Sequence, residues 1–139
     1  MFGTAIDYAK VRIRRRKWFP FQPVRVAMAP LGHIHFHPSA PGYCEDFSQQ
    51  ALTTQAFFMH EMTHVWQHQK GIFLPLRRHL LCRYDYSLKP GQRLERYGIE
   101  QQAEIISHAF QLRNGAKLAG VADKTAYDVL VNFPGASKG

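Results

Sequence analysis

Residues 57–69 read FFMHEMTHVWQHQ and carry histidines at 60, 64 and 68, with a glutamate at 61. His60-Glu61-Met62-Thr63-His64 has the spacing histidine, glutamate, two residues, histidine. On an α-helix, residues four apart differ by about 40° around the axis and roughly 6 Å along it. His60 and His64 therefore point the same way, one turn apart, and their imidazoles can meet at one cation. Glu61 points to one side, where its carboxylate can reach a water on that cation without being a ligand. A zinc ion lowers the pKa of such a water toward ~7, and the glutamate can take its proton and later pass it to a leaving amine. The competing reading is a surface helix rich in histidine. Phe58, Met59, Met62, Val65 and Trp66 instead bury the segment, and a buried imidazole needs a partner that a metal supplies.

Two histidines do not complete a catalytic zinc site, which takes three protein ligands. His68 is a poor third, because a straight helix carries it about 12 Å along the axis from His60. The pattern HExxHxxGxxH breaks the helix with glycine to bring a third histidine back. Here Gln67 occupies the glycine position and Lys70 the histidine position, which leaves His68 exposed or supporting. A better source is the stretch YGIEQQAE, residues 97–104. Glu100 and Glu104 share one helical face, while Ile99, Ala103, Ile106 and Phe110 supply an apolar stripe for packing. Carboxylates on a packed face are costly unless paired, protonated or metal-bound. Glu100 is expected to ligate, and Glu104 to hydrogen-bond the outer nitrogen of a ligand histidine. Glu104 is the main competitor for the ligand role and Glu95 a distant one.

Around these motifs the 139 residues suit a single domain, 1–139, large enough for a core. With 45% hydrophobic and 20% charged residues the chain is expected to fold rather than stay disordered. No apolar run approaches the ~20 residues of a membrane span. The N-terminal stretch lacks the apolar core of a Sec-type signal, so synthesis in the cytoplasm is expected, which delivery by a dedicated secretion machine would not contradict. Ala9–Arg15, Val24–Met28 and Gly32–His37 read as strands separated by Pro20, Pro23 and Pro30. In the last of these, Ile34 and Phe36 alternate with His33, His35 and His37. One helix is expected from Asp46 or Ser48 to Lys70, stopped by Gly71. A second is expected from Arg93 to Arg113, closed by Asn114-Gly115, and a short third over 124–132. Cys44 and Cys82 form no CxxC pair; both are expected as free thiols, with a bridge or a latency role for Cys44 as the remote alternatives.

The formal net charge of +8, from 18 Lys and Arg against 10 Asp and Glu, is concentrated in residues 10–17, KVRIRRRK. Charge alone would fit nucleic acid or an acidic partner protein, but stacking aromatics at regular spacing are missing and no nucleic-acid module is recognisable. Nucleic acid is therefore not the expected partner; salt-sensitive binding abolished by neutralising Arg12, Arg14, Arg15 and Arg16 would reverse that.

HEMTH (60–64) with EQQAE (100–104) resembles the gluzincin branch of the zincin metallopeptidases. The resemblance implies His60, His64 and Glu100 as ligands of Zn2+, Glu61 as general base, and Glu104 in the supporting position where that branch usually has Asp. More broadly, Tyr8 to Gly71, with MAPLGHIHFHP, DFS and FFMHEMTHVWQHQ, is similar to small zincin-like Vgr-related and Rhs-associated proteins of bacterial type VI secretion and polymorphic toxin systems. It implies a minimal α+β zincin-like fold: a small N-terminal sheet packed on the HExxH helix and a second helix carrying the third ligand. The implied function is a zinc-dependent metallopeptidase, a secretion effector or its processing protease, acting on a peptide or protein. An immunity protein or part of the secretion apparatus would be its other partner. In that layout Gly32–His37 forms the sheet edge beside the cleft. Tyr84, Tyr86, Tyr97 and His108 are candidates to stabilise the oxyanion, His108 first. The rival reading is a catalytically silent docking module with a structural metal, which would have no use for Glu61.

Overall fold

A long helix, α1 (Leu52–Gln69), runs through the middle of the molecule, and its eight residues from His60 to Gln67 are all buried. This explains why its sequence shows so little amphipathic contrast: a helix covered on every side needs no polar face. The computed structural model describes residues 1–77 and 83–136. Against α1 packs α3 (Ile99–Arg113), the most extensive contact between elements, through buried Ala103, Ile106 and their neighbours. A four-residue α2 (Leu74–Arg77) follows α1, and α4 (Lys124–Leu130) lies against α3.

The helix ends follow local chemistry. At the C-terminus of α1, Gly71 adopts φ +85°. Its N–H donates to His68 O at 2.9 Å and that of Ile72 to Gln67 O at 3.1 Å, the paired bonds of a Schellman stop. The N-terminus differs from expectation. Asp46 does cap, accepting from Ser48 N at 2.9 Å, but it caps a 3-10 turn over Phe47–Gln49, and α1 begins only at Leu52. The second helix is also shorter than its periodicity suggests: Leu94–Arg96 forms a separate 3-10 turn, and α3 starts after Gly98. There the Gln101 side chain accepts from Gly98 N at 2.9 Å and donates to Asp85 O at 2.6 Å. Asp123 caps α4 through Ala126 N at 3.1 Å.

The β-structure contracts most. Among the described residues the sheet consists of β1 (Ile13–Arg14) and β2 (Ile34–His35), parallel, with Ile13 opposite Ile34. One antiparallel bridge joins Met28 to His35. Prolines at 20, 23 and 30 remove ladder donors from the intervening segment. The buried Gln22 side chain supplies part of what is missing. Its amide N donates to Val26 O and His35 O at 2.8 and 2.9 Å, and its oxygen accepts from Trp18 N at 2.8 Å. The alternation predicted around β2 holds, with Ile34 and Phe36 buried and His33, His35 and His37 half-buried. Phe36, Phe47 and Phe58 stack from β2 onto α1, the last two rings 4.4 Å apart. On the far side of α1, Trp66 meets Phe133 and Phe133 meets Phe2, which brings the chain ends together. The result is a mixed α+β arrangement in which sheet, loops and helices share one core.

Candidate metal centre

The close packing of α1 on α3 sets His60 and His64 against Glu100. Glu100 Oε2 lies 3.3 Å from His60 Nε2 and 3.2 Å from His64 Nε2, and the three ligand atoms are within 4.8 Å of one another. Nitrogen and oxygen ligands about 2.0–2.1 Å from a tetrahedral metal sit about 3.3 Å apart, so these separations fit a shared ion. All three residues are buried, Glu100 and His64 at 1% exposure. His64 Nε2 makes no hydrogen bond.

Both imidazoles are turned the right way by their outer nitrogens. His60 Nδ1 lies 3.0 Å from Glu104 Oε1, and His64 Nδ1 lies 2.9 Å from Gln67 Oε1. Each oxygen accepts, so each Nδ1 carries a proton, and each Nε2 is left facing Glu100, the side on which a cation or a second proton would sit. Gln67 is itself fixed, donating to Ile99 O at 2.9 Å and Gln102 Oε1 at 3.0 Å, and Gln102 donates to Tyr97 O at 2.8 Å. Burial alone would push His60 down, but hydrogen bonds to Glu100 and Glu104 and the charge of Glu61 raise its pKa to about 9. The bond to His60 likewise holds Glu104 below the usual carboxylate range despite its partial burial. A proton on His60 thus sits between the Glu100 and Glu104 carboxylates, where positive charge is favoured.

Glu61, 3% exposed, lines with His60 and Glu104 a cleft of about 450 Å3. Its opposite wall is Arg25, Val26 and Ala27. The segment beside the cleft is therefore the irregular stretch 25–27, which leads into the Met28 bridge, and not the Gly32–His37 stretch expected there. His35 and His37 of that stretch make hydrogen bonds elsewhere, and His33 lies away from the cleft. His35 Nδ1 is 3.3 Å from Arg16 O, His37 Nδ1 accepts from Ser39 N, and His33 sits near His68. His68 packs its ring against Gly32, where an added Cβ would come within 2.6 Å, away from the ligand cluster. Glu95 pairs with Lys70 at 3.4 Å and takes no part. Tyr84 stacks on His60 with 6.3 Å between centroids and lines the cleft. His108 lies in an adjoining pocket that shares Tyr84 and Glu104 with it. There Tyr86 contacts His108 Nδ1 at 2.5 Å, and Glu104 Oε2 lies 3.8 Å from His108 Nε2. Tyr97 accepts from Lys89 N at 2.9 Å.

Gln102 and Tyr127 are neighbours of the cluster that the sequence does not single out, and Gln67 and Tyr86 stand here in roles other than those expected of them. Only Gln67 carried a usable signal, three residues after His64 on the same helical face. Cys44 is a free thiol outside the cleft, its pKa pushed up by burial and by Asp46 and Glu45. Cys82 lies outside the described residues. Several cations of the basic run are tied to backbone carbonyls: Arg12 to Ala9 O and Val11 O, Arg15 to Pro38 O in the loop after β2, and Lys17 to Pro20 O.

No family model matches the chain. The structure superposes on the effector domain of Pseudomonas aeruginosa VgrG2b with a TM-score of 0.77 and 37% identity, covering 92% of this chain and 72% of that one. The chain belongs to the VgrG2b effector-domain family. In sequence it is 42% identical over 142 residues to the type VI secretion system spike protein VgrG2b of Pseudomonas aeruginosa. That match takes in 96% of this chain but spans only 14% of the spike protein. The likeness to the effector domain thus extends over both the β-containing N-terminal third and the helices that carry the ligand cluster. No helix among the described residues is long and apolar enough to cross a membrane.

Proposed function

We propose that this VgrG2b-type effector domain is a zinc-dependent peptidase that hydrolyses a peptide or protein substrate and reaches it through a type VI secretion apparatus. The observation that carries the reading is the buried His60–His64–Glu100 cluster, with both histidines oriented by second partners and a buried glutamate, Glu61, on the adjoining cleft wall. Two imidazoles and one carboxylate form the donor set of a catalytic zinc site that keeps a position open. When bound there, the ion would acidify a coordinated water and polarise a carbonyl. His60, His64 and Glu100 would hold it, and Glu104 and Gln67 would keep the two rings aimed. Glu61 accepts a proton from the attacking water and returns it to the amine nitrogen as the C–N bond breaks. The Nε2–H of His108, 3.8 Å from Glu104 and so beyond hydrogen-bond reach of it, is the proposed donor to the carbonyl oxygen as negative charge gathers on it, with Tyr84 as competitor. The excess of positive charge favours an acidic substrate or a cognate immunity protein of acidic surface.

The test pairs metal content with turnover. Wild type is expected to carry about one zinc per chain, with His64→Ala and Glu100→Ala losing it. Glu61→Gln should keep the metal and cleave at least 100-fold more slowly, since proton transfer by a positioned base contributes about 10²–10⁴-fold. Cleavage by Glu61→Gln at the wild-type rate would refute the mechanism. Full zinc occupancy in Glu100→Ala would refute the third ligand.

A further inference from the structure

The contacts beyond Glu104 extend the polar chain that begins at His60. Glu104 accepts from His60 Nδ1 through Oε1 at 3.0 Å, while its Oε2 lies 3.8 Å from His108 Nε2. His108 Nδ1 is 2.5 Å from the Tyr86 hydroxyl, and that hydroxyl is 2.6 Å from the Tyr127 hydroxyl. Four parts of the fold contribute: α1 through His60, α3 through Glu104 and His108, the segment before residue 90 through Tyr86, and α4 through Tyr127. Tyr127 is only 1% exposed, so its hydroxyl must find its partner inside the protein.

The direction of the protons follows from the charge at one end. Suppose His108 carried its proton on Nδ1 and donated to Tyr86. Its Nε2 lone pair would then face the Glu104 carboxylate, an arrangement electrostatics disfavours. With the proton on Nε2 both hydrogen bonds are satisfied, Tyr127 donating to Tyr86 and Tyr86 to His108 Nδ1, and the Nε2–H turns its positive end toward Glu104 at 3.8 Å. We propose that Tyr86 and Tyr127 are positioning residues, which lock His108 as the Nε2–H tautomer and through it hold Glu104 on His60. The proposal rests on the reading of His60 as a metal ligand for its meaning, but not for its geometry. It gives α4 and the Tyr86 segment a task at the site although neither touches the ligand cluster.

Long-range proton–nitrogen NMR correlations on the whole chain, zinc-free and zinc-loaded, test it. Wild-type His108 is expected as the Nε2–H tautomer, and Tyr86→Phe as a mixture. Loss of zinc to a chelator should be about 10-fold faster in Tyr86→Phe, in the range that loss of a supporting partner typically produces. Tyr127→Phe should act in the same direction but less, and add nothing in the Tyr86→Phe background, because it works through Tyr86. An Nδ1–H tautomer in wild type overturns the proposal, as does an unchanged tautomer or unchanged zinc release in Tyr86→Phe. If a variant fails to fold, the wild-type tautomer still decides. A wild type that takes up no zinc would sink the metal reading, while the tautomers of wild type and Tyr86→Phe would still show whether Tyr86 sets His108.

Discussion

Gln67 shows how much of the candidate metal site lies outside its proposed ligands. Its oxygen orients His64, and its amide nitrogen joins α1 to α3 through Ile99 O and Gln102. Gln67→Ala is expected to weaken zinc binding by about 10–100-fold in competition with a chromophoric chelator. Buried acceptors left without a donor should also cost about 1–3 kcal/mol in urea unfolding. Unchanged zinc affinity would show that His64 needs no such support. His108 gives a pH signature. Burial pushes its pKa below the ordinary range, and the Glu104 charge only partly opposes this. A depressed histidine stabilises the fold above its unfolded value of about 6.5, and that contribution is lost as the pH falls through the folded value. His60 is shifted upward and acts in the opposite sense, so the informative quantity is a difference. The stability gap between wild type and His108→Gln in zinc-free protein should be wider at pH 7.5 than at pH 5.5. A gap independent of pH would mean that His108 is not held neutral.

At the scale of elements, Gly32 locks the β2 loop onto α1. It adopts φ +76°, and a Cβ would meet the His68 ring at 2.6 Å. Gly91 adopts a similar φ of +74° with nothing nearby. Gly91→Ala should cost about 1–2 kcal/mol, the backbone term alone, and Gly32→Ala about 1–3 kcal/mol more for the clash, compared by urea unfolding. Equal costs would mean that His68 simply swings aside. These elements also show what the sequence makes legible. The helix stop at Gly71, the alternation about Ile34 and Phe36, and the shared faces of 60 with 64 and of 100 with 104 follow from local spacing, while joining the two pairs rests on the need for a third ligand. The strands do not, because proline-rich connections and the Gln22 side chain replace most of the ladder that β-propensity anticipates. The chain of contacts through Tyr86 is hidden for a different reason: Tyr86 meets His108 across 22 residues and Tyr127 meets Tyr86 across 41, only through tertiary packing.

For the whole molecule, the His60–His64–Glu100 cluster joins α1 to α3 within the core, so the proposed ion binding would be coupled to folding. Free zinc at 100 times its dissociation constant should stabilise the fold by about 2.7 kcal/mol, seen as a higher melting temperature lost on chelation and in Glu100→Ala. The central claim is that one ion sits between His60, His64 and Glu100, and anomalous diffraction at the zinc edge from crystals of zinc-supplemented protein addresses it most directly. The account predicts a single strong peak about 2.0–2.1 Å from His60 Nε2, His64 Nε2 and a Glu100 oxygen. Absence of a peak there, or a principal peak elsewhere, such as beside His33 and His68, would contradict it.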